Sequence, residues 1–440
     1  MSSNTVTVIV TILVFGMSLL RRYKPFRDWF VSTVENGFRG VKKSGNVVLH
    51  TPSMQLGSGT GNQSGRLEEY VDSLISLRGY LGAGQRINNT IVKRTKSLRR
   101  DQYEQLKKIE YFNKIDEITN STVQNSVVVE NIIENALKEL VEVNKDSEEH
   151  QRTLLQTCTL LGYNYTKDQG LQKVTSVKLP NGSVSNSSAV SESLSHLCRD
   201  WSEDFKCERD PLFAYICDRI DSIPTVGKNV LVVVPGSGVG NLAFSIAEKF
   251  GDIQVDSIEM SAFMYICNRF ALGYGKDTEI KPFSLFYSGQ LDSRNQTRSM
   301  KVNLSKIKAP ENLNTIWGDF REYSYNIEKK YDTIIVCSAY FIDTAENLFE
   351  YFESIEKLQQ YSVDKIHWIN IGPLKYGTRP KVQLTVEELT KLRKLRSWKD
   401  DDFQVVNKYN DPLNGYLTDY QGLYQGYYGL VKFHSTFHRK

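Results

Sequence analysis

The hydrophobic pattern changes character near residue 226. Before that point, in residues 67–225, apolar side chains recur three and four positions apart, most regularly from Val127 to Val143, which predicts helices. From residue 229 the run NVLVVV is apolar after its first residue and rich in β-branched valine, as in a strand buried on both faces of a parallel sheet. Helical and strand patterns then alternate. We therefore predict an α/β fold with a mostly parallel, doubly wound sheet in residues 226–440, preceded by an N-terminal helical region.

Two further apolar runs extend the predicted sheet. Residues 332–337 and 365–371 predict parallel strands, and Asp343 between them is a candidate N-cap for a helix from Ala345 to Leu358. Apolar and aromatic residues in 403–406 and 427–433 predict a terminal antiparallel pair.

The first 66 residues carry a different composition. Thr5–Leu20 is uncharged and apolar and is followed by a basic cluster, but as a helix it would span only about 24 Å of a roughly 30 Å hydrocarbon core. Residues 1–30 are therefore interpreted either as a single membrane anchor whose basic flank faces the cytosol, or as a buried or disordered terminus of a cytoplasmic protein. Residues 31–66, rich in Gly and Ser, predict a flexible linker.

Composition narrows the classes of function. The chain has 440 residues, 40% of them hydrophobic, and a formal charge of +4, which indicates a globular protein and argues against a nucleic-acid partner. The six cysteines include no C-x-x-C pair and the six histidines no H-E-x-x-H motif, so no metal site is expected.

A glycine loop follows the first predicted strand. Gly236, Gly238 and Gly240 let the backbone approach a ligand at the N-terminus of the next helix. Glu259 ends the second strand, about 20 residues further on, where a carboxylate can bind ribose hydroxyls. The G-x-G-x-G spacing differs from the dinucleotide pattern G-x-G-x-x-G/A, so it favours S-adenosylmethionine, with an NAD-dependent oxidoreductase as the weaker alternative.

Other candidates lie at strand ends. Asp319 and Phe320 precede the strand 332–337, where they could contact an adenine amine and ring, although a lone aspartate there is more often a turn or cap residue. Ala339 and Asp343 follow that strand at its carboxyl end, where open α/β sheets bind ligands.

Taken together these residues resemble the carnosine N-methyltransferase family, which consists of Rossmann-like class I methyltransferases that use S-adenosylmethionine. The similarity covers about residues 67–440 and is strong from Leu194 onward. The matching stretches are 199–203, 208–210, 234–240, 318–320, 341–345 and 368–374.

The resemblance implies specific roles. The implied cofactor-binding residues, with Ala339 added from its place at the strand end, are Arg199, Gly236, Gly238, Glu259, Asp319, Phe320 and Ala339. Asp343 would be the catalytic residue and, with Tyr428, would bind the substrate, a histidine-containing small molecule or short peptide. A neutral imidazole nitrogen would attack the sulfonium methyl while Asp343 accepts the other ring N–H. Assembly as a homodimer is a further hypothesis.

Two departures concern the substrate. The family continues Gly-Pro-Leu with Leu-Tyr-His, whereas this chain has Lys375, Tyr376 and Gly377. The family has three consecutive tyrosines where this chain has Gly426 before Tyr427 and Tyr428. We therefore expect cofactor binding to persist while carnosine recognition is weakened or redirected. The alternative to an active N-methyltransferase is a non-catalytic or substrate-shifted binding protein of the same fold.

Overall fold

A computed structural model provides the structure and describes residues 49–50, 63–144, 148–174, 186–327, 329–377, 379–407 and 412–438. One unit comprises residues Val48–Gly57 and Leu67–Lys440. Within the described ranges, no helix has both the length and the apolar character needed to cross a membrane. The anchor predicted in residues 1–30 lies outside these ranges, as does nearly all of the predicted linker.

The N-terminal half is built from helices, as its periodicity predicted. They are α1 (Gln63–Arg78), α2 (Tyr80–Thr95), α3 (Arg100–Lys108), α4 (Tyr111–Asn144) and α5 (Glu148–Leu161). The apolar face of α4 is buried in a core cluster, with Ile132, Ile133 and Leu137 fully covered. A helical pattern of this length is stable in water because such a face packs against its neighbours.

One hairpin interrupts the region that the sequence predicted as helical. Helix α5 ends before Gly162, whose φ of +87° is favourable for glycine alone. Strands β2 (Tyr163–Thr166) and β3 (Gly170–Lys173) then pair antiparallel. Two helices follow, α6 (Ser187–Trp201) and α7 (Lys206–Asp221).

The central sheet occupies the second half. Its strands are β1 (Leu49–His50), β4 (Val230–Pro235), β5 (Gln254–Glu259), β8 (Leu313–Trp317), β9 (Thr333–Ala339), β10 (Ile366–Gly372), β11 (Trp398–Val406) and β12 (Leu430–Phe437). The other elements are α8 (Asn241–Lys249), α9 (Ala262–Gly273), β6 (Thr278–Ile280), α10 (Ser293–Gln296), β7 (Met300–Val302), α11 (Leu348–Lys357) and α12 (Val386–Leu395).

The strand order is β1-β8-β5-β4-β9-β10-β12-β11. Strands β8, β5, β4, β9 and β10 are parallel, and β12 and β11 add an antiparallel edge. The predicted doubly wound sheet and its terminal antiparallel pair are confirmed. Because the chain leaves β4 toward β5 on one side and later returns to β9 on the other, a crevice opens at the carboxyl end of β4.

The apolar run of β4 holds this crevice in place. Leu231 and Val233 pack with α11 on one face of the sheet, and Val230, Val232 and Val234 pack with α7 on the other. Full burial of such side chains stabilises the fold by about 1.5–3 kcal/mol each. The loop that follows β4 is therefore carried by a strand that is buried on both faces.

The sequence interpretation of Asp343 as a helix cap is wrong. Asp343 lies in a 3-10 turn, Ile342–Thr344, and Ala345 is extended with φ −65° and ψ 126°. Helix α11 starts only at Leu348, where the Asn347 side chain accepts a hydrogen bond from the Phe349 N–H at 3.3 Å. The extended residue separates the turn from the helix, so the Asp343 carboxylate is not used for capping.

Candidate active site

The glycine loop after β4 combines tight packing with an open surface. Gly236, Gly238 and Gly240 have φ values of +62°, +57° and +90°, a region that favours glycine. A Cβ on Gly236 would lie 2.5 Å from Cδ2 of Phe341, whereas a Cβ on Gly238 would have no described atom within 4 Å. Gly236 therefore serves close packing, and Gly238 leaves room for a ligand to approach the backbone.

Glu259, at the end of β5, fixes this loop. Its Oε2 accepts a hydrogen bond from the Gly238 N–H at 2.8 Å, and its Oε1 accepts one from the Ser261 N–H at 2.7 Å. Burial raises the pKa of the Glu259 carboxyl to about 6, while these backbone hydrogen bonds oppose the increase. A carboxylate has further lone pairs, so the ionised group can also accept from a ligand diol.

Asp319 and Phe320, which follow β8, line a cavity together with Gly238 and Glu259. The Asp319 carboxylate caps the 3-10 helix Phe320–Asn326 by accepting from the Arg321 N–H at 2.9 Å, and it also pairs with the Arg321 guanidinium. The Phe320 ring is buried and meets Phe341 edge to face at 5.8 Å. The cavity has a volume of about 320 Å³, and its lining includes Gly238 and Glu259 as well as Asp319 and Phe320. It can hold a flat ring with an attached diol.

Arg199, on α6, faces a second cavity beside the glycine loop. Its guanidinium lies against the rings of Tyr340 and Tyr416, at 5.2 and 4.5 Å from their centres. Its Nη2 is buried and has no hydrogen-bond partner among the described residues. A buried guanidinium N–H that lacks an acceptor is costly, and a ligand carboxylate would supply one.

This second cavity shares part of its lining with the first. Both are lined by Gly236, Gly238, His196, Tyr340 and Tyr416, and Ala339 lines the one that contains Arg199. The seven predicted cofactor residues are thus gathered around one loop. Together they offer a cation, a diol acceptor and an aromatic wall.

Asp343 and Tyr428 line neither cavity, but a third residue connects them. The Asp343 Oδ2 accepts a hydrogen bond from the Lys375 N–H at 3.0 Å, and the Lys375 ammonium donates to the Tyr428 hydroxyl at 2.7 Å. Burial raises the pKa of the Asp343 carboxyl to about 6. Phe341 and Thr344, on either side of Asp343 in the chain, line the cavity of Glu259, so this group borders the cofactor side.

Glu208 is a site residue that sequence reasoning quoted without a role. It is buried, and its carboxylate accepts hydrogen bonds from the N–H groups of Leu417 and Thr418 and from the Tyr420 hydroxyl, each at 3.1 Å. Its Oε2 also lies 3.4 Å from the Arg199 Nε. Glu208 therefore ties the segment that carries Tyr416 to α7 and to Arg199.

No pattern in the sequence indicated that His196 belongs to the site. It lines both cavities, and burial together with the Arg199 charge lowers its pKa to about 3, so the ring is neutral. Tyr340 was also missed as a site residue. Its φ of +51° is unusual for a non-glycine residue and is typical of backbone held at functional sites.

Comparison with known proteins shows which protein family the chain matches. The sequence profile of carnosine N-methyltransferase matches residues 176–439. An uncharacterized protein of Saccharomyces cerevisiae is 42% identical over 457 residues, which cover 99% of each chain. Carnosine N-methyltransferases of Schizosaccharomyces pombe and Mus musculus are 31% and 29% identical and match 46% and 45% of this chain.

These matches have a limited span. They cover 59% of the Schizosaccharomyces pombe enzyme and 50% of the mouse enzyme, so this chain matches about half of their length. Among solved structures, the magnesium protoporphyrin IX methyltransferase of Synechocystis with bound SAM is 13% identical at a TM-score of 0.30, covering 54% of this chain and 82% of that one.

The range matched by the family profile contains the residues of the candidate site. The profile spans Arg199, the glycine loop, Glu259, Asp319 and Asp343. S-adenosylmethionine is the cofactor of this family. The chain therefore belongs to the carnosine N-methyltransferase family of S-adenosylmethionine-dependent methyltransferases, with the class I methyltransferase fold.

Proposed function

We propose that this protein transfers the methyl group of S-adenosylmethionine to an imidazole nitrogen of a histidine-containing dipeptide, as in the conversion of carnosine to anserine. The observation that carries the proposal is Asp343, a buried carboxylate beside the cofactor cavity, with Tyr428 and Lys375 next to it. An acceptor that can bind an imidazole N–H is thus available next to residues that line the cofactor cavity.

The cofactor roles follow from chemistry. Arg199 would bind the carboxylate, Glu259 the ribose diol, and Asp319 with Phe320 the adenine, while Gly236, Gly238 and Ala339 form the wall at the end of the sheet. The bound cofactor supplies an electrophilic methyl group on a sulfonium. Its orientation by fixed groups is worth up to about 7–11 kcal/mol of the barrier in well-oriented systems.

Asp343 would prepare the nucleophile. As a carboxylate it accepts the N–H of the neutral ring and so directs the lone pair of the other nitrogen toward the methyl carbon. The C–N bond forms as the C–S bond breaks, and the sulfur keeps the electron pair. The positive charge that passes to the ring is neutralised when the N–H proton leaves. A carboxylate with a pKa of about 6 can accept that proton near neutral pH.

Lys375 lies in a segment where this chain departs from the family, and it bears on which substrate fits. Its ammonium is held at Tyr428, next to Asp343, in the segment where the family carries its substrate histidine. A cation there suits a substrate with a free carboxylate, which dipeptides have. We infer that the substrate is an imidazole dipeptide with a free carboxylate.

A specific observation keeps the second candidate, a non-catalytic or substrate-shifted binding protein. Gly377 replaces a histidine of the family, and a Cβ at this position would meet no described atom within 4 Å. The donor that the family places at the substrate is therefore missing.

The predicted domain division at residues 225 and 226 and the homodimer stay predictions.

The test uses the full chain with isotope-labelled S-adenosylmethionine and carnosine, followed by chromatography for anserine. Asp343→Asn should lower kcat by about 10²–10⁴-fold and leave calorimetric binding of S-adenosylhomocysteine unchanged, because general acid–base groups contribute on that scale. If the wild type binds S-adenosylhomocysteine but methylates neither carnosine nor other histidine dipeptides, the second candidate is correct. If it binds no S-adenosylhomocysteine, the assigned cofactor residues are wrong.

A further inference from the structure

Three potential metal ligands meet at the antiparallel edge of the sheet. His367 lies on β10, Asp401 on β11 and His434 on β12, and one ligand atom of each lies within 4.8 Å of those of the other two. The closest pair is His367 Nδ1 and His434 Nε2, which are 3.0 Å apart. His434 is buried, His367 is half-buried and Asp401 is exposed.

The strand register explains why the three side chains share one face. Ile369 is opposite His434 and His367 is opposite Thr436, so the two histidines are diagonal neighbours on the same face. The register between β11 and β12 shifts between Asp400 and Asp402. Such a bulge adds one residue and redirects its side chain. Asp401 is that residue, and its carboxylate accepts a hydrogen bond from the Thr436 hydroxyl on the histidine face.

The distances suit a small cation. Zinc binds imidazole nitrogen at about 2.0–2.1 Å, so two nitrogens of a tetrahedral site lie about 3.3 Å apart. The two imidazole nitrogens are within a few tenths of an ångström of that separation. In the absence of a cation, one ring donates its N–H to the other. A bound cation would use both lone pairs together with the Asp401 carboxylate.

We propose that His367, Asp401 and His434 form a binding site for a divalent transition-metal cation such as Zn²⁺. The donor set of two imidazoles and one carboxylate matches zinc, and water would complete the tetrahedron. A groove of about 510 Å³, lined by His367 and His438, gives solvent access to this place. A cation bound there would link β10, β11 and β12.

This site is separate from methyl transfer. His367 is the second residue of β10, and Gly372, the last, borders the turn that carries Asp343. Five residues of a strand span about 17 Å. The cation would therefore stabilise the distal edge of the sheet and take no part in the chemistry at the cofactor.

The experiment is zinc titration of the full-length protein after treatment with EDTA and removal of the chelator. Binding is read by competition with a chromophoric chelator, and Co²⁺ is added separately because a tetrahedral site gives visible absorption bands. The wild type is expected to take up one equivalent of Zn²⁺ and to unfold at a higher temperature with Zn²⁺ than with EDTA. The variants His367→Gln, His434→Gln and Asp401→Asn each remove one ligand.

Each outcome decides the proposal. Loss of at least about 100-fold in Zn²⁺ affinity in the ligand variants, with His438→Gln unchanged, supports it, because His438 lines the same groove but is not one of the three ligands. No uptake by the wild type, or equal uptake by wild type and ligand variants, overturns it. Asp401 is exposed, so Asp401→Asn keeps the test valid if a histidine variant does not fold. Binding of S-adenosylhomocysteine reports folding independently of the metal.

Discussion

The Lys375 ammonium donates a hydrogen bond to the Tyr428 hydroxyl at 2.7 Å and lies 4.9 Å from the centre of the same ring. The hydrogen bond raises the pKa of the Lys375 ammonium, so Lys375 stays charged. This contact joins a residue that departs from the family to one that the family shares.

Lys375→Met is therefore expected to impair recognition of the substrate carboxylate. Loss of one charge-assisted hydrogen bond should raise KM for carnosine by about 10-fold and change kcat little. Carnosine amide, which lacks the carboxylate, should show no such increase. Steady-state kinetics with both substrates measures the difference. The control is Lys394→Met on α12, and an equal rise in KM for the amide would contradict a carboxylate contact.

The raised pKa of Glu259 predicts pH-dependent cofactor binding. The carboxyl titrates at about 6, and only its ionised form accepts from both ribose hydroxyls. The affinity for S-adenosylhomocysteine should fall as pH decreases through 6, by up to about tenfold per unit. Calorimetry from pH 5 to 8 checks this, and Glu259→Gln should give weak, pH-independent binding. A pH-independent affinity in the wild type would be inconsistent with this role.

The raised pKa of Glu259 also affects the stability of the ligand-free fold. Cofactor affinity should increase as pH rises, whereas the free energy of unfolding should decrease. In the unfolded chain the Glu259 carboxyl ionises near 4.3, whereas in the ligand-free fold it ionises at about 6. Between these values the folded state binds more protons, so its free energy of unfolding decreases as pH rises through that window. In thermal unfolding at pH 4.5 and 6.5, Glu259→Gln should lose this contribution to the pH dependence.

Gly238 and Gly227 form a matched pair for testing the ligand surface. Both have positive φ values, +57° and +70°, and a Cβ on either meets no described atom within 4 Å. Gly238→Ala and Gly227→Ala should therefore destabilise the fold similarly, by about 1–2 kcal/mol. Gly238→Ala alone should weaken S-adenosylhomocysteine binding, because its methyl group occupies the cavity. Equal affinities in calorimetry would place the ligand away from Gly238.

Glu208 is expected to be a positioning residue. In Glu208→Gln one carboxylate oxygen becomes an N–H₂ group that faces backbone donors, so the variant should lose about 1–3 kcal/mol of stability. Hydrogen exchange at Leu417 and Thr418 should accelerate. The exposed Glu203→Gln serves as control and should change stability by less than about 0.5 kcal/mol. Unchanged exchange in Glu208→Gln would show that the segment does not depend on this carboxylate.

One of the two interpretations of the N-terminal run Thr5–Leu20 is a membrane anchor. The full-length chain should then stay in the membrane pellet during alkaline carbonate extraction. Ile12→Arg should release it, because an arginine at the centre of a span costs about 2.5–3.5 kcal/mol. Ile12→Leu is the conservative control. Release of the wild type into the supernatant would rule out an integral anchor.

Some features could be predicted from the sequence because they depend only on neighbouring residues. The valine-rich apolar run of β4 predicted a doubly buried strand, and the glycine spacing predicted a loop whose backbone a ligand can approach. Asp343 was misread as a cap because a cap and a site aspartate look alike in sequence. The extended backbone of Ala345, which separates the turn from α11, has no residue signature.

By itself, the sequence determined much of the alternation of helices and strands after residue 229, although not β8 or α12, and also the glycine loop and the family. It could do so because strand and helix periods and glycine conformations are properties of neighbouring residues. Only the tertiary structure decided that Glu208 braces Leu417, that Lys375 meets Tyr428, and that His367 meets His434. These partners are 53 to 209 positions apart, and their contact depends on strand order, register and a bulge, which local patterns do not encode.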